Sequence, residues 1–254
     1  MKLINISLLL TFFLSSSIYA QEFSGLTFFE NKQYLNFPLS GEISHIYVKA
    51  GDSVKKGDLL MQINDIPFKN KLAKSKYNVV KSETLMKEAE ILLTRSEEMY
   101  DRGVLSNYEL LQSKHQLQQR EAALISSKAE LLEYEYWLEN TKLRAPFDLT
   151  VLSVALNVGD SITHQFISTP ALEVVSSGQY RVRIPLPLSI VRKLEIGEKY
   201  RILKGKKAYN AKLAFINPKI IEQSSDRESH LYAYFSFSTS DKLYEGEGVK
   251  IIFN

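Results

Sequence analysis

Side chains able to do chemistry are scattered along this chain rather than gathered. The four histidines, His45, His115, His164 and His230, are dispersed, and no two share the four-residue spacing that puts two metal ligands on one helical face. Serine, aspartate and histidine occur without a nucleophile elbow, and no glycine-rich loop is present to cradle a phosphate. The chain has no cysteine, which excludes thiolate metal sites, disulfides and a lipid-modified N-terminal cysteine. This inventory points to a protein that binds rather than reacts, with no cofactor and no metal.

One stretch, Thr94 to Gln112 (TRSEEMYDRGVLSNYELLQ), invites a binding reading. Arg95 can give fork-shaped hydrogen bonds to carboxylates or backbone carbonyls of a facing helix. Its spacing serves equally for a solvated helix residue paired with Glu97 or Glu98. Further along, Gly103, Val104, Leu105 and Ser106 interrupt two long helical runs, and two aliphatic residues stand where a chain reversal is expected. Gly103 supplies the reversal and Ser106 or Asn107 caps the second helix. Exposed apolar residues at such a point are costly unless a partner covers them.

The elements that must hold this stretch can be read on both sides of it. From Phe68 to Asn140 there is no proline and a single glycine, in a composition that favours long helices. A seven-residue row runs Leu72, Val79, Met86, Leu93, Tyr100, and three positions on stand Ser75, Ser82, Ala89 and Ser96. The second arm carries Leu110, Leu117, Leu124, Leu131 and Leu138, with Ser113, Arg120, Ser127 and Tyr134 three positions on. Large residues in one row and mainly small ones in the other let two antiparallel helices approach closely, with a left-handed supercoil. Arg120 has no evident role in that seam. The balanced charges along both arms read as solvated helix faces.

Outside the helices lies a repeat. FPLSGEISHIYVKAGDSV (Phe37 to Val54) matches APFDLTVLSVALNVGDSI (Ala145 to Ile162) at an offset of 108, which superposes Pro38 on Pro146 and Ile43 on Val151. It also places Ile46 on Val154, Val48 on Leu156, and Gly51-Asp52-Ser53 on Gly159-Asp160-Ser161. Each half is too small to bury its own apolar face, so the two are expected to pair into one sandwich. Its halves span residues 36–66 and 143–176, with the α-helical hairpin at 67–142. Beyond it, residues 177–254 show short runs of period two, expected to form a small antiparallel β-barrel, with one short helix over Ser189 to Leu194.

At the N-terminus, Lys2, the apolar run Leu3 to Leu14 and the small residues before Ala20 read as a secretory signal over residues 1–20. The run is shorter than the roughly 20 residues a membrane span requires. A formal net charge of +3 is too slight for a nucleic-acid surface.

Together, the split halves around a hairpin and the segment LRAPFDLTV (Leu143 to Val151) resemble the periplasmic adaptor subunits, or membrane fusion proteins, of tripartite efflux pumps. The family's channel-contact pattern is an arginine, a leucine four residues on and a serine seven beyond. Arg95, Met99 and Ser106 fall at those spacings, with methionine for leucine. The resemblance implies an α+β fold: a split lipoyl-like β-sandwich, an inserted antiparallel coiled-coil hairpin, then the barrel. It implies a homo-oligomer, trimer or hexamer, linking an inner-membrane transporter to a TolC-like outer-membrane channel in the periplasm. Family frequency favours an RND transporter over an ABC exporter or a type I secretion system. The channel-facing residues would be Arg95, Met99, Gly103, Val104, Leu105, Ser106 and Leu110. The chain stops after a segment resembling the barrel's closing strand, so a reduced form without a membrane-proximal domain is expected. A lipoyl or biotinyl carrier is the other reading of such a sandwich. Its swinging lysine would have to sit where this chain inserts the hairpin, and MQINDIPFKN there lacks a methionine-lysine-methionine pair.

Overall fold

The computed structural model describes residues 21–163, 170–221 and 229–253. The expected signal segment and His164 lie outside them. In chain order the elements are β1 (Gln21–Phe29), β2 (Lys32–Leu35), β3 (Gly41–Ile46), β4 (Ser53–Val54), β5 (Leu59–Ile63), α1 (Ile66–Asp101) and α2 (Asn107–Glu139). There follow β6 (Lys142–Arg144), β7 (Leu149–Val154), β8 (Ser161–Ile162), β9 (Leu172–Ser176), β10 (Gln179–Pro187) and α3 (Leu188–Val191). The last strands are β11 (Lys199–Lys204), β12 (Lys207–Ile221), β13 (His230–Ser238) and β14 (Gly248–Phe253). Residues 31–177 form one compact unit, and residues 21–30 with 178–253 a second.

In the first unit the two repeats interleave. One sheet has the order β2-β9-β7-β4 and the other β6-β5-β3-β8, so each sheet takes two strands from before the hairpin and two from after it, β2 lying just ahead of the expected first half. The cross-half pairs obey the sequence offset. Ser53 and Val54 pair with Thr150 and Leu149, while Ser161 and Ile162 pair with Glu42 and Gly41, the positions 108 residues away in each case. Backbone bonds repeat likewise: Gly51 N–H donates to Val151 at 2.8 Å and Gly159 N–H to Ile43 at 2.9 Å. Gly51 and Gly159 hold φ of +93° and +92°, a region where a side chain would be strained. Asp52 and Asp160 then accept from the amides of Lys49 and Asn157 at 2.9 and 2.7 Å, closing equivalent turns. Ile43, Leu60, Ile63, Leu149, Val151, Leu172 and Val174 fill the core and are fully buried, each aliphatic contributing about 1.5–3 kcal/mol.

The hairpin leaves from β5 and returns into β6, which pair antiparallel through Leu59–Arg144, Met61–Leu143 and Gln62–Lys142. Its arms therefore begin and end side by side. With 36 and 33 residues, the helices are each about 50 Å long at 1.5 Å per residue. The heptad rows face inward: Ser75, Val79, Ala89, Ser96, Leu110 and Leu124 are buried, and the other row members half-buried. Tyr100 departs, at 42% exposed in the last turn of α1. Ser82 and Ser127 meet hydroxyl to hydroxyl at 2.8 Å, as do Ser96 and Ser113. The second pair lies fourteen residues further along α1 and fourteen back along α2, so the helices stay in heptad register. Ser96, Ser113 and Ser127 also lie within reach of their own helix carbonyls. The two hydrogens of a pair thus serve one bond across the seam and one along it, leaving no buried hydroxyl unsatisfied. Halfway between these layers the same register sets Arg120 opposite Ala89, where a small side chain leaves it room.

The second unit is a closed barrel of order β1-β10-β13-β12-β11-β14. Val182, Ile184, Leu186, Ile202, Leu213, Ala233, Phe235 and Ile251 form its centre. The barrel is not confined to residues 177–254, because β1 closes it by pairing with both β10 and β14. Gly25 permits the closure: a Cβ there would lie 2.5 Å from the Arg183 carbonyl oxygen and from Ile184 Cγ1. The expected helix over Ser189 to Leu194 is a single turn that starts one residue earlier, Leu188–Val191, with Arg192 as its C-cap.

Candidate functional site

The hairpin apex is built by ordinary helix-terminating chemistry. Gly103 adopts φ +76°; its N–H bonds to Tyr100 at 2.9 Å and that of Val104 to Met99 at 2.9 Å, satisfying carbonyls the helix would leave open. Ser106 is the N-cap of α2 and forms a reciprocal box with Glu109. Glu109 N–H donates to Ser106 Oγ at 3.3 Å, while the Ser106 amide and hydroxyl donate to Glu109 Oε2 at 2.9 and 2.7 Å. The Ser106 hydroxyl, and then its amide, hold the Glu109 carboxyl below its usual range. A carboxylate in the first turn also suits the helix dipole.

This turn leaves the apex unevenly covered. Val104 is 69% exposed, Met99 42% and Tyr108 69%. Leu105, expected beside Val104 in solvent, is half-buried. Leu110 requires correction: at 8% exposed it closes the hairpin's own seam and has no surface for a partner. It is a heptad residue first, and its closeness to the apex in sequence misplaces it. Gly103 acts through its backbone, and Ser106 is exposed but committed to the cap.

Arg95 is exposed one to two turns below the apex, and neither ion pair open to it in the sequence forms. Glu97 reaches across to Lys114 at 3.9 Å instead. Arg95 lines a shallow groove of about 370 Å³ together with Leu85, Glu88, Leu92, Gln116 and Arg120. The structure thus brings Arg120 to the same groove as Arg95, which spacing along one helix did not reveal. Among the described residues no hydrogen bond or ion pair occupies either guanidinium, so the groove offers fork-shaped donors beside aliphatic and polar side chains.

A second feature escaped the sequence reading. On the outer face of α2, positions 108, 111, 115, 118, 122, 125, 129, 132 and 136 alternate steps of three and four residues, the spacing of another heptad seam. Tyr108, Leu111, Ile125, Leu132 and Tyr136 on it are 47–70% exposed. Searching α2 for two rows rather than one would have found it. Elsewhere, among the described residues, no three His, Asp or Glu side chains gather where they could hold a metal. No helix among them is long and apolar enough to cross a membrane.

No family model matches the chain. It is similar in sequence to proteins named multidrug resistance protein MdtA. The one from Photorhabdus laumondii subsp. laumondii is 26% identical over 125 residues, 49% of this chain and 31% of the relative. The one from Proteus mirabilis is 26% identical over 149 residues, 59% of this chain and 36% of the relative. The matched stretch is about a third of the length of these curated relatives. Among solved structures, the membrane fusion protein Spr0693 of Streptococcus pneumoniae R6 superposes with a TM-score of 0.71 at 17% identity, over 92% of this chain and 99% of that one. A chimera of MacA carrying the α-hairpin domain of Pseudomonas aeruginosa MexA gives 0.64 at 22% identity, over 91% and 78%. The chain has the fold of the membrane fusion proteins: a split lipoyl-like sandwich, an inserted helical hairpin and a barrel.

Proposed function

We propose that this chain is a periplasmic adaptor of a multidrug efflux pump, joining an inner-membrane transporter to a TolC-like outer-membrane channel. The observation that carries the reading is the apex. A rod of paired helices about 50 Å long ends in an exposed Val104 and Met99, above two arginines without acceptors among the described residues. Such a surface suits the end of a helical channel, whose side chains would cover the apolar residues and whose carboxylates or carbonyls would meet the guanidinium forks. The names of the sequence relatives, multidrug resistance proteins, agree with this.

Copies of the chain are proposed to stand side by side as a trimer or hexamer, their hairpins forming a tube and their sandwiches a ring. The exposed heptad face of α2 supports such lateral packing. In this reading residues 1–20 are a cleaved export signal. It performs no catalysis, since transport energy comes from the pump, and the RND class is the proposed transporter. Affinity purification of the chain from native envelopes, with its partners identified by mass spectrometry, tests this. An RND transporter and an outer-membrane channel are expected together. An ABC exporter would replace the transporter assignment, and the absence of any channel would refute the connector role.

A further inference from the structure

The outer face of the barrel carries an arginine held in an unusual way. Arg183, on β10, lies with its guanidinium carbon 4.7 Å from the Phe28 ring on β1 and 4.7 Å from the Tyr232 ring on β13. The two rings thus come from the strands that flank β10 on either side, and the side chain is half-buried. Its donors lie in the edge of the guanidinium plane, and among the described residues no carboxylate, carbonyl or hydroxyl accepts from them. Two residues away on the same strand, Arg181 shows a paired alternative: its Nη2 donates to Glu30 at 3.0 Å, and Ser236 donates to the same carboxylate oxygen at 2.8 Å, although Arg181 Nε is buried without a partner among the described residues.

Stacking makes Arg183 rigid and partly strips its water, yet leaves its fork unused. A lysine could supply the charge but not the covered plane with donors at its rim. A cation held this way binds a carboxylate strongly, because little side-chain entropy remains to be lost. The neighbouring surface is apolar: Leu26, opposite Arg183 in the β1–β10 register, is 43% exposed, and Phe215 is 39% exposed and stacks on Tyr234 at 4.3 Å.

The geometry points to a second protein-docking site, on the barrel, in which Arg183 clamps an aspartate or glutamate side chain of a partner protein while Leu26 and Phe215 cover the apolar residues beside it. A free phosphate would leave those two side chains unused. A two-fold contact with a second copy centred on this site would set Arg183 against Arg183, like charge on like.

A photo-crosslinking residue at Phe215, used in intact cells, tests the assignment. The expected product joins the barrel to another protein through a peptide holding an aspartate or glutamate. Arg183→Gln and Arg183→Lys should each lower its yield at least tenfold. Leu26→Glu should do the same with the clamp intact, because its carboxylate would occupy Arg183 from the opposite strand. Charge reversal of the partner's acid should abolish the product with the native chain and restore it with Arg183→Glu. A yield unchanged in Arg183→Gln and Leu26→Glu, a product formed only with a second copy, or no product at all would overturn the assignment. A parallel crosslinker at Val104 reports the apex separately. A silent Phe215 beside a productive Val104 overturns the barrel site alone, and the converse overturns apex docking alone.

Discussion

Leu124→Asp strikes the hairpin where its architecture is least forgiving. Leu124 is 8% exposed in the large-residue row of α2, three residues from Ser127 in the serine layer of Ser82 and Ser127. Removing its burial costs about 2–4 kcal/mol as a truncation alone, and a carboxylate there adds desolvation with no partner in the seam. At roughly 2.1 cal/mol/K of unfolding entropy per residue, the 36- and 33-residue arms give about 0.15 kcal/mol/K. A loss of ~3 kcal/mol then lowers the hairpin's melting temperature by about 20 °C. The readout can be local, because the chain's single tryptophan, Trp137, stands on α2 near the hairpin base. Trp137 emission and ellipticity at 222 nm should fall together in Leu124→Asp. Leu124→Ala should move less, and acidification that protonates the new aspartate should recover part of the loss. An unchanged Trp137 transition in Leu124→Asp would refute the seam assignment.

Other consequences are simpler to state. Gly25→Ala should destabilise the barrel by about 1–3 kcal/mol, since its methyl must displace the β10 backbone; thermal melting with intact Trp137 emission isolates the effect. Glu109, whose folded pKa lies below its ordinary 4.5, stabilises the start of α2 above that value and loses the contribution as pH falls through its folded pKa. Amide exchange at Asn107 to Leu110 should therefore accelerate below about pH 4.5 in the native chain but not in Glu109→Gln. Tyr200 and Tyr209 are pushed up to about 12, mainly by burial and then by hydrogen bonds to Glu198 and Asp241. Protonated in the folded barrel, they stabilise it fully below pH 10 and lose that contribution as pH rises towards 12, so alkaline unfolding should begin above pH 10. Arg95→Asp and Val104→Asp should change stability by no more than about 0.5 kcal/mol, both being exposed, while abolishing capture of an outer-membrane channel.

Much of the architecture is legible because it is repetitive. A constant offset of 108 predicts which strands cross between halves, and a seven-residue row predicts which side chains face inward; both are local patterns multiplied by symmetry. Single decisions are harder. Leu110 reads as part of the apex because it is near in sequence, whereas its place in the row buries it. Arg120 reads as an anomaly because one helix cannot show that Ala89 stands opposite. The barrel's first strand is missed because its closure depends on Gly25 passing so near backbone 158 residues away that a Cβ would lie 2.5 Å from it, a fact with no local signature. The stacking of Arg183 between Phe28 and Tyr232 likewise joins three strands that sequence neighbours do not reveal.

The absence of native cysteine allows the central claim to be tested at one atom. In a Val104→Cys variant, a membrane-permeant maleimide should modify the purified chain at the rate of a free exposed thiol. In envelopes that contain the outer-membrane channel the rate should fall at least tenfold, and in envelopes lacking it the rate should return. Equal labelling with and without the channel would contradict the account, because the apex would then have no partner to cover it.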